Sequence, residues 1–168
     1  MLMGCPGAGK STWTRNHINI ETDKYISRDE IRFSMVSEDE EYFSKEKQVY
    51  TEYIRQINEN LKAGYNVFAD ATHLNRSSRN KLLRNITVKP SSIEVIWIKT
   101  PLEECINRNA NRAGTRSYVP ENQLRRMYGN IEAPDFDEGF NKIYIIEDNK
   151  PIQCRINANI IKDEIYIN

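Results

Sequence analysis

Cysteine and histidine are scarce in this chain of 168 residues, with three and two copies. Cys5, Cys105 and Cys154 stand far apart, and none belongs to a Cys-x-x-Cys pair. That pattern argues against a zinc site or a disulfide framework and fits a reducing, cytoplasmic setting. No Cys or second His stands at ligand spacing from His73, so His73 reads as a loop hydrogen-bonding group rather than a base or a metal ligand. No apolar run approaches the ~18–20 residues that cross a bilayer, and no signal peptide is visible, which points away from a membrane. Repeats, linkers and low-complexity tracts are missing as well. A hydrophobic content of 39% and a charged content of 29% are those of a soluble globular protein. Length then predicts one domain over residues 1–168, with core and lid in 1–148 and a weakly patterned C-terminal extension in 149–168.

Net charge is absent too. The 24 Lys/Arg balance 24 Asp/Glu, so nothing global marks a nucleic-acid binder. Distribution is more informative: residues 76–126 hold eleven Lys/Arg against four acids, and residues 21–59 hold eleven acids against six bases. Such segregation predicts one positive face, for which phosphates are the natural partners.

What is present is concentrated at the start. Gly4, Gly9, Lys10 and Ser11, within Gly4-Cys5-Pro6-Gly7-Ala8-Gly9-Lys10-Ser11-Thr12, have the G-x-x-x-x-G-K-[ST] spacing of a phosphate-binding loop. Glycines let backbone N–H groups turn inward around phosphate oxygens where a side chain would block the approach. Lys10 would reach the β/γ-phosphates and the Ser11 hydroxyl would ligate Mg²⁺, so ATP and Mg²⁺ are the expected cofactors. A helix over residues 10–17 aims its positive end at the same anion. Only Met1, Leu2 and Met3 precede the loop, where a strand usually has ~5–6 residues; either the first strand is unusually short or residues are missing upstream. Cys5 reads either as a somewhat reactive thiol in an anion-attracting loop or as a small residue that fits the turn.

Further along, residues 24–27 are a strand candidate, and Ser27 with Glu30 is a capping box that starts a helix. Asp29 lies in its first turn with Arg32 on the same face. That pair reads either as a surface ion contact or as a carboxylate and a guanidinium facing the γ-phosphate. Phe43, Tyr50, Ile54, Ile57 and Leu61 predict an amphipathic helix whose stripe is core, closed by Gly64. Residues 65–70 form a strand ending in Asp70, where a Walker-B carboxylate would hold Mg²⁺. Thr72 and His73 continue at the edge where ligands bind in open α/β sheets. A basic helix capped at Asn75 and running to Arg84 reads as a solvated face.

Residues 93–98 and 143–146 are strands, the second closing the sheet. One or two short strands are expected around Ile160-Ile161 and Ile165-Tyr166-Ile167. Thr100 as N-cap, with Pro101 and Glu103, starts a helix that carries Arg108 and Arg112 on one face into Ala113-Gly114-Thr115-Arg116. These arginines read as a mobile lid over the triphosphate or as partners for acidic helices elsewhere. Val119-Pro120-Glu121 opens a further helix.

The ordered set GCPGAGKST, ISRDEIR, a strand ending in DATHLN, then NRNANRAGTR and a helix after VP resembles the kinase domain of 5′-polynucleotide kinases. Both the bacteriophage enzymes and the kinase half of the animal kinase/phosphatases share this layout. APDFDEGFNKIYII is similar to the Pro…Glu-Gly-Phe stretch closing that domain in the animal enzymes. The resemblance covers residues 4–146. It implies an α/β fold of the P-loop NTPase, nucleotide-kinase-like type: three layers, α/β/α, with a mostly parallel central sheet and a helical lid. It also implies transfer of the ATP γ-phosphate to the 5′-hydroxyl of RNA or DNA.

By matching position, Asp29 is the general base, Arg32 grips the acceptor, and Arg112 is the lid arginine on the donor phosphates. Arg108 and Arg116 lie close enough to share that work. On this reading Cys5, Pro6, Gly7, Ala8, Gly9, Lys10, Ser11 and Thr12 bind ATP, and Lys10 and Arg112 join Asp29 in catalysis. Arg32, Asp70 and Thr72 face the acceptor, while Ser11 and Asp70 hold the metal. Two departures stand out. The phosphatase signature Asp-x-Asp-Gly-Thr is absent, so only the kinase half is implied, and His73 stands where the family often has Asn.

Phosphoryl transfer asks for positioning and charge neutralisation more than for covalent chemistry, which Lys10, Mg²⁺ and lid arginines would supply. An acid near a helix N-terminus favours its charged form, so Asp29 would be a weak base, adequate for orienting a hydroxyl that loses its proton late. The same residues suit a small-molecule phosphotransferase of the same fold, or a non-enzymatic nucleotide-binding module. A GTPase switch is disfavoured, because Asn80-Lys81, Asn141-Lys142 and Asn149-Lys150 lack the Asp that completes a guanine-reading motif.

Overall fold

Alternation of apolar side chains along the parallel strands sets up two buried faces, and helices close over both. In the computed structural model, residues 1–148, 150 and 152–158 are described. Their order is β1 (Leu2–Met3), α1 (Lys10–His17), β2 (Asp23–Ser27), α2 (Arg28–Met35), α3 (Glu46–Lys62) and β3 (Asn66–Asp70). Then come α4 (Arg76–Asn85), β4 (Glu94–Ile98), α5 (Leu102–Ala110), α6 (Glu121–Gly129), a 3₁₀ turn (Phe136–Glu138), β5 (Lys142–Ile146) and β6 (Gln153–Ile156). The strands form one sheet in the order β2-β3-β1-β4-β5-β6. All neighbours run parallel except β5 and β6. The expected three-layer α/β/α P-loop NTPase architecture is the one observed.

Tyr25, Phe68, Leu2, Ile96 and Ile98 point to one face, where α1, α5 and α6 pack through Trp13, Cys105 and Leu124. Ile26, Val67 and Ala69 point to the other, against Ile31, Val49, Tyr53, Ile57 and Leu82 of α2, α3 and α4. The short β1 is the middle of this arrangement: Leu2 is in register with Asp70 on one side and Ile96 on the other. Both of its residues are fully buried.

Several expectations are corrected. The α3 stripe is core as expected at Tyr50, Ile54, Ile57 and Leu61, with Val49 and Tyr53 beside them, but Phe43 lies before the helix and is 59% exposed. Thr100 does not cap α5; Pro101 is the N-cap, and the Thr100 hydroxyl donates to the Ala8 carbonyl at 2.8 Å. Helix α5 ends at Ala110, so Arg112 lies in the turn that follows. β5 is not the last strand, because β6 pairs with it antiparallel. The strands anticipated near Ile160-Ile161 and Ile165-Tyr166-Ile167 lie outside the described residues. Finally, α4 is not solvated throughout. Arg79 is fully buried and donates from Nε and Nη2 to Glu138, both at 2.8 Å. Its Nη1 also donates to the Glu132 carbonyl at 2.9 Å.

Candidate active site

The loop between β1 and α1 gathers its geometry from close backbone contacts. Gly4 donates its N–H to the Thr72 carbonyl at 3.0 Å, tying the loop to the end of β3. Gly7 has φ +81°, and a Cβ there would lie 2.5 Å from the Cys105 carbonyl oxygen; only glycine allows the loop to lie on α5 this closely. No side chain caps α1, whose N-cap Gly9 is left-handed, which leaves its first-turn N–H groups without a side-chain cap, as a helix start that receives an anion would require. Lys10 folds back over the loop, donating to the Gly4 and Cys5 carbonyls at 3.0 and 3.3 Å. Thr100 and Arg108 brace the loop from the other side, at 2.8 and 3.4 Å from the Ala8 carbonyl oxygen.

Asp70 and Ser11 meet across this loop. The Ser11 hydroxyl donates to Asp70 Oδ2 at 3.4 Å. The Tyr25 hydroxyl, projecting from β2 on the same face, also donates to Asp70 Oδ2 and lies 3.2 Å from Ser11 Oγ. Burial, and then the Asp70 charge, pushes the Tyr25 phenol above its ordinary range, so it remains a donor. Asp70 Oδ1 is buried with no hydrogen-bond partner. A buried, orphaned carboxylate oxygen beside a hydroxyl is an all-oxygen donor set, the kind that suits a hard divalent cation such as Mg²⁺.

A second cluster forms where α2 starts, one strand away. The Ser27 side chain accepts the Glu30 N–H at 3.3 Å and so starts α2 directly at the end of β2. That places Asp29, 67% exposed, in the first turn, and buries Arg32 beneath it. Arg32 donates to Asp29 Oδ1 at 2.5 Å, to the Tyr42 hydroxyl at 3.0 Å and to Glu46 Oε2 at 2.7 Å. Arg28 reaches the other oxygen of Glu46. Burial alone would raise the Glu46 carboxyl, but the Arg32 hydrogen bond and the two guanidinium charges outweigh it and hold Glu46 below its ordinary value. Arg28 Nε and Arg32 Nε are buried without a partner.

The three arginines expected in a lid separate. Arg108 ion-pairs with Glu104 at 2.7 Å and Asp148 at 2.9 Å while touching the loop carbonyl. Arg116 donates to the Phe33 and Val36 carbonyls at 3.3 and 2.6 Å, joining the lid segment to the end of α2. Arg112 is partly exposed between them. Cys5 settles on the bland reading: burial, with the neighbouring Cys105 thiol second, pushes it up to about 12, so it is not a reactive thiolate. His73 is buried against the Tyr53 hydroxyl at 3.3 Å, and it carries a positive φ of 45°. Sequence reasoning missed Tyr25, Tyr42, Glu46 and Arg28. Strand alternation with Phe68 and Asp70 would have put Tyr25 on the loop face; the other three are joined only by the packing of α2 on α3.

A family model described as an AAA domain matches residues 1–134. The chain belongs to that family. Among solved structures, it is similar to a chain of the Pnkp1/Rnl/Hen1 RNA repair complex, with a TM-score of 0.67 and 24% identity over 77% of this chain and 42% of that one. A second structure of the Pnkp1/Rnl/Hen1 complex gives 0.55 and 24% over 64% of this chain and 37% of the other. A sugar kinase from Janibacter sp. HTCC2649 gives 0.62 and 19% over 89% of this chain and 84% of that chain. These likenesses establish a kinase-like P-loop fold and agree with the resemblance read from the motifs. The chain spans less than half of the repair-complex chains it matches. Among the described residues, no helix is long and apolar enough to cross a membrane.

Proposed function

We propose that this domain transfers the γ-phosphate of ATP to the 5′-hydroxyl of RNA or DNA in a cytoplasmic setting. The observation that carries the proposal is the presence, along one end of the sheet, of two differently built clusters. One is a phosphate loop with Lys10, Ser11 and Asp70; the other is an exposed carboxylate at Asp29 fixed by the buried Arg32. A phosphate donor with no organised acceptor side would need only the first.

In this reading the loop backbone and Lys10 hold the β- and γ-phosphates, with Arg108, Arg112 and Arg116 supplying positive charge from the lid side. Ser11 and Asp70 would hold Mg²⁺, which when bound neutralises charge on the transferring phosphate. Tyr25 orients the Asp70 carboxylate by donating to it. Asp29 accepts the hydrogen bond of the attacking hydroxyl and takes its proton late in transfer. Arg32, through its grip on Asp29, sets where that carboxylate sits, and with Thr72 it faces the acceptor. The Pnkp1/Rnl/Hen1 likeness supports a nucleic-acid acceptor.

A second reading, a small-molecule phosphotransferase, is favoured by one finding: the sugar kinase is matched along most of both chains. The test is a transfer screen with ATP labelled at the γ-position, Mg²⁺, 5′-OH RNA, 5′-OH DNA, nucleosides and sugars. Label on the oligonucleotides supports the first reading. Label on a sugar or nucleoside alone overturns it in favour of the second.

A further inference from the structure

Phe43 is an aromatic side chain left in solvent beside the carboxylate that the reaction would use. It is 59% exposed, yet its ring is fixed: it meets the Tyr42 ring edge-on at 4.8 Å, and the Arg32 guanidinium sits 5.3 Å from its centroid. Tyr42 in turn hydrogen-bonds to Asp29 Oδ1 at 3.2 Å and lies 4.6 Å under the same guanidinium. Phe43, Tyr42 and Asp29 are thus three consecutive links of one contact chain, organised by the buried Arg32. The other anticipated core positions of that segment turn inward with α3, while Phe43, on the turn before it, presents its ring to solvent.

We infer that Phe43 is a stacking platform for the nucleobase at the 5′ end of the acceptor, with the terminal hydroxyl at Asp29. The inference rests on the polynucleotide reading above and adds to it a residue that separates nucleotides from sugars. A nucleoside carries its base a short way from its 5′ oxygen, and the Phe43 ring is linked to the Asp29 carboxylate through Tyr42, by a ring contact at 4.8 Å and a hydrogen bond at 3.2 Å. Stacking is tolerant of sequence, because every base offers a π-face. The neighbouring guanidinium holds the ring in place through a cation–π contact. An aliphatic polyol has no such face and would gain nothing from an aromatic surface here.

The test compares two acceptors, a 5′-OH oligonucleotide with an ordinary first base and the same oligonucleotide with an abasic 5′-terminal residue. The unaltered protein should show a KM roughly tenfold lower for the first, within the range of base–aromatic stacking. In Phe43→Ala that KM ratio should fall to near one, and Phe43→Trp should keep or widen it. Because the ratio is internal to each protein, a loss of folded material cannot imitate the result. A wild-type ratio near one, or a ratio unchanged in Phe43→Ala, overturns the inference while leaving the kinase reading intact. Failure to phosphorylate any 5′-OH oligonucleotide, with transfer to a sugar instead, overturns the reading and this inference together.

Discussion

Arg79 and Arg32 are both guanidinium groups taken out of water, at 0% and 4% exposure, and their surroundings differ in kind. Arg79 is answered on every side: two bonds to a fully buried Glu138 and further bonds to the carbonyls of His73, Glu132 and Ala133. It ties α4 to the loop that leads into β5. Arg32 instead shares its charge between an exposed Asp29, a half-exposed Glu46 and a phenol, and its Nε has no partner. A saturated buried ion pair holds the fold together. Arg32 is a buried cation with an exposed carboxylate on one side, the arrangement that the acceptor side proposed above would use.

The largest effect that would sharpen this contrast is on stability. Arg79→Met leaves Glu138 charged, buried and unpaired, which costs about 3–5 kcal/mol. Urea unfolding should show that loss while specific activity per folded molecule stays within about twofold. Replacing both partners together, Arg79→Met with Glu138→Leu, should return most of the stability; a double variant as weak as the single one would show that the carbonyl contacts matter more than the ion pair. Next in size is Arg32→Lys, which keeps the charge and loses the planar fork. Here kcat/KM for the acceptor should fall by roughly 10–100-fold, about 1.4–2.8 kcal/mol, with KM for ATP unaltered. A stability loss without that kinetic loss would make Arg32 a second Arg79.

A smaller effect is expected from His73. Burial first, then the positive charges of the N-terminal amine, Arg28, Lys10 and Arg79, push it down to about 3 from an ordinary 6.5. The unfolded chain therefore binds a proton at pH values where the folded protein does not. Its contribution to stability is complete above about pH 6.5 and is lost progressively as pH falls toward 3, with a slope of up to about 1.4 kcal/mol per pH unit. Urea midpoints at pH 7, 6, 5 and 4 measure it; His73→Asn should flatten the upper part of that decline, where carboxylates such as Glu46 are not yet titrating. Smallest is thiol reactivity. With Cys5 and Cys105 buried and Cys154 exposed, a thiol reagent at pH 8 should label one equivalent quickly and two slowly. Fast labelling of Cys5 would contradict the burial of the loop.

The asymmetry between the two arginines also explains how much could be read from the chain itself. The loop before α1 was legible because its pattern is local: residues 4–12 carry glycines, cation and hydroxyl within one turn of each other, and Asp70 ends a strand whose alternation is plain. The start of α2 was legible for the same reason, since Ser27 and Glu30 mark it and Asp29 and Arg32 follow. Arg79 was misread because its partner lies 59 residues away, where no periodicity points. Glu46 and Tyr42 were invisible for the same cause, since only α2 packing on α3 gives them to Arg32. Thr100 satisfied a capping pattern, but tertiary contact with Ala8 claimed its hydroxyl instead. β6 was missed because an exposed four-residue edge strand has no buried face to pattern it.

In the proposed reaction Asp29, fixed from below by Arg32, is the acceptor-side carboxylate. Single-turnover transfer from ATP to a 5′-OH oligonucleotide, measured alongside ATP affinity in Asp29→Asn, tests it most directly. The expected result is a transfer rate reduced by about 10²–10⁴, the range of a positioned general base, with ATP affinity within about twofold of the unaltered protein. Transfer at an undiminished rate in Asp29→Asn would contradict the claim.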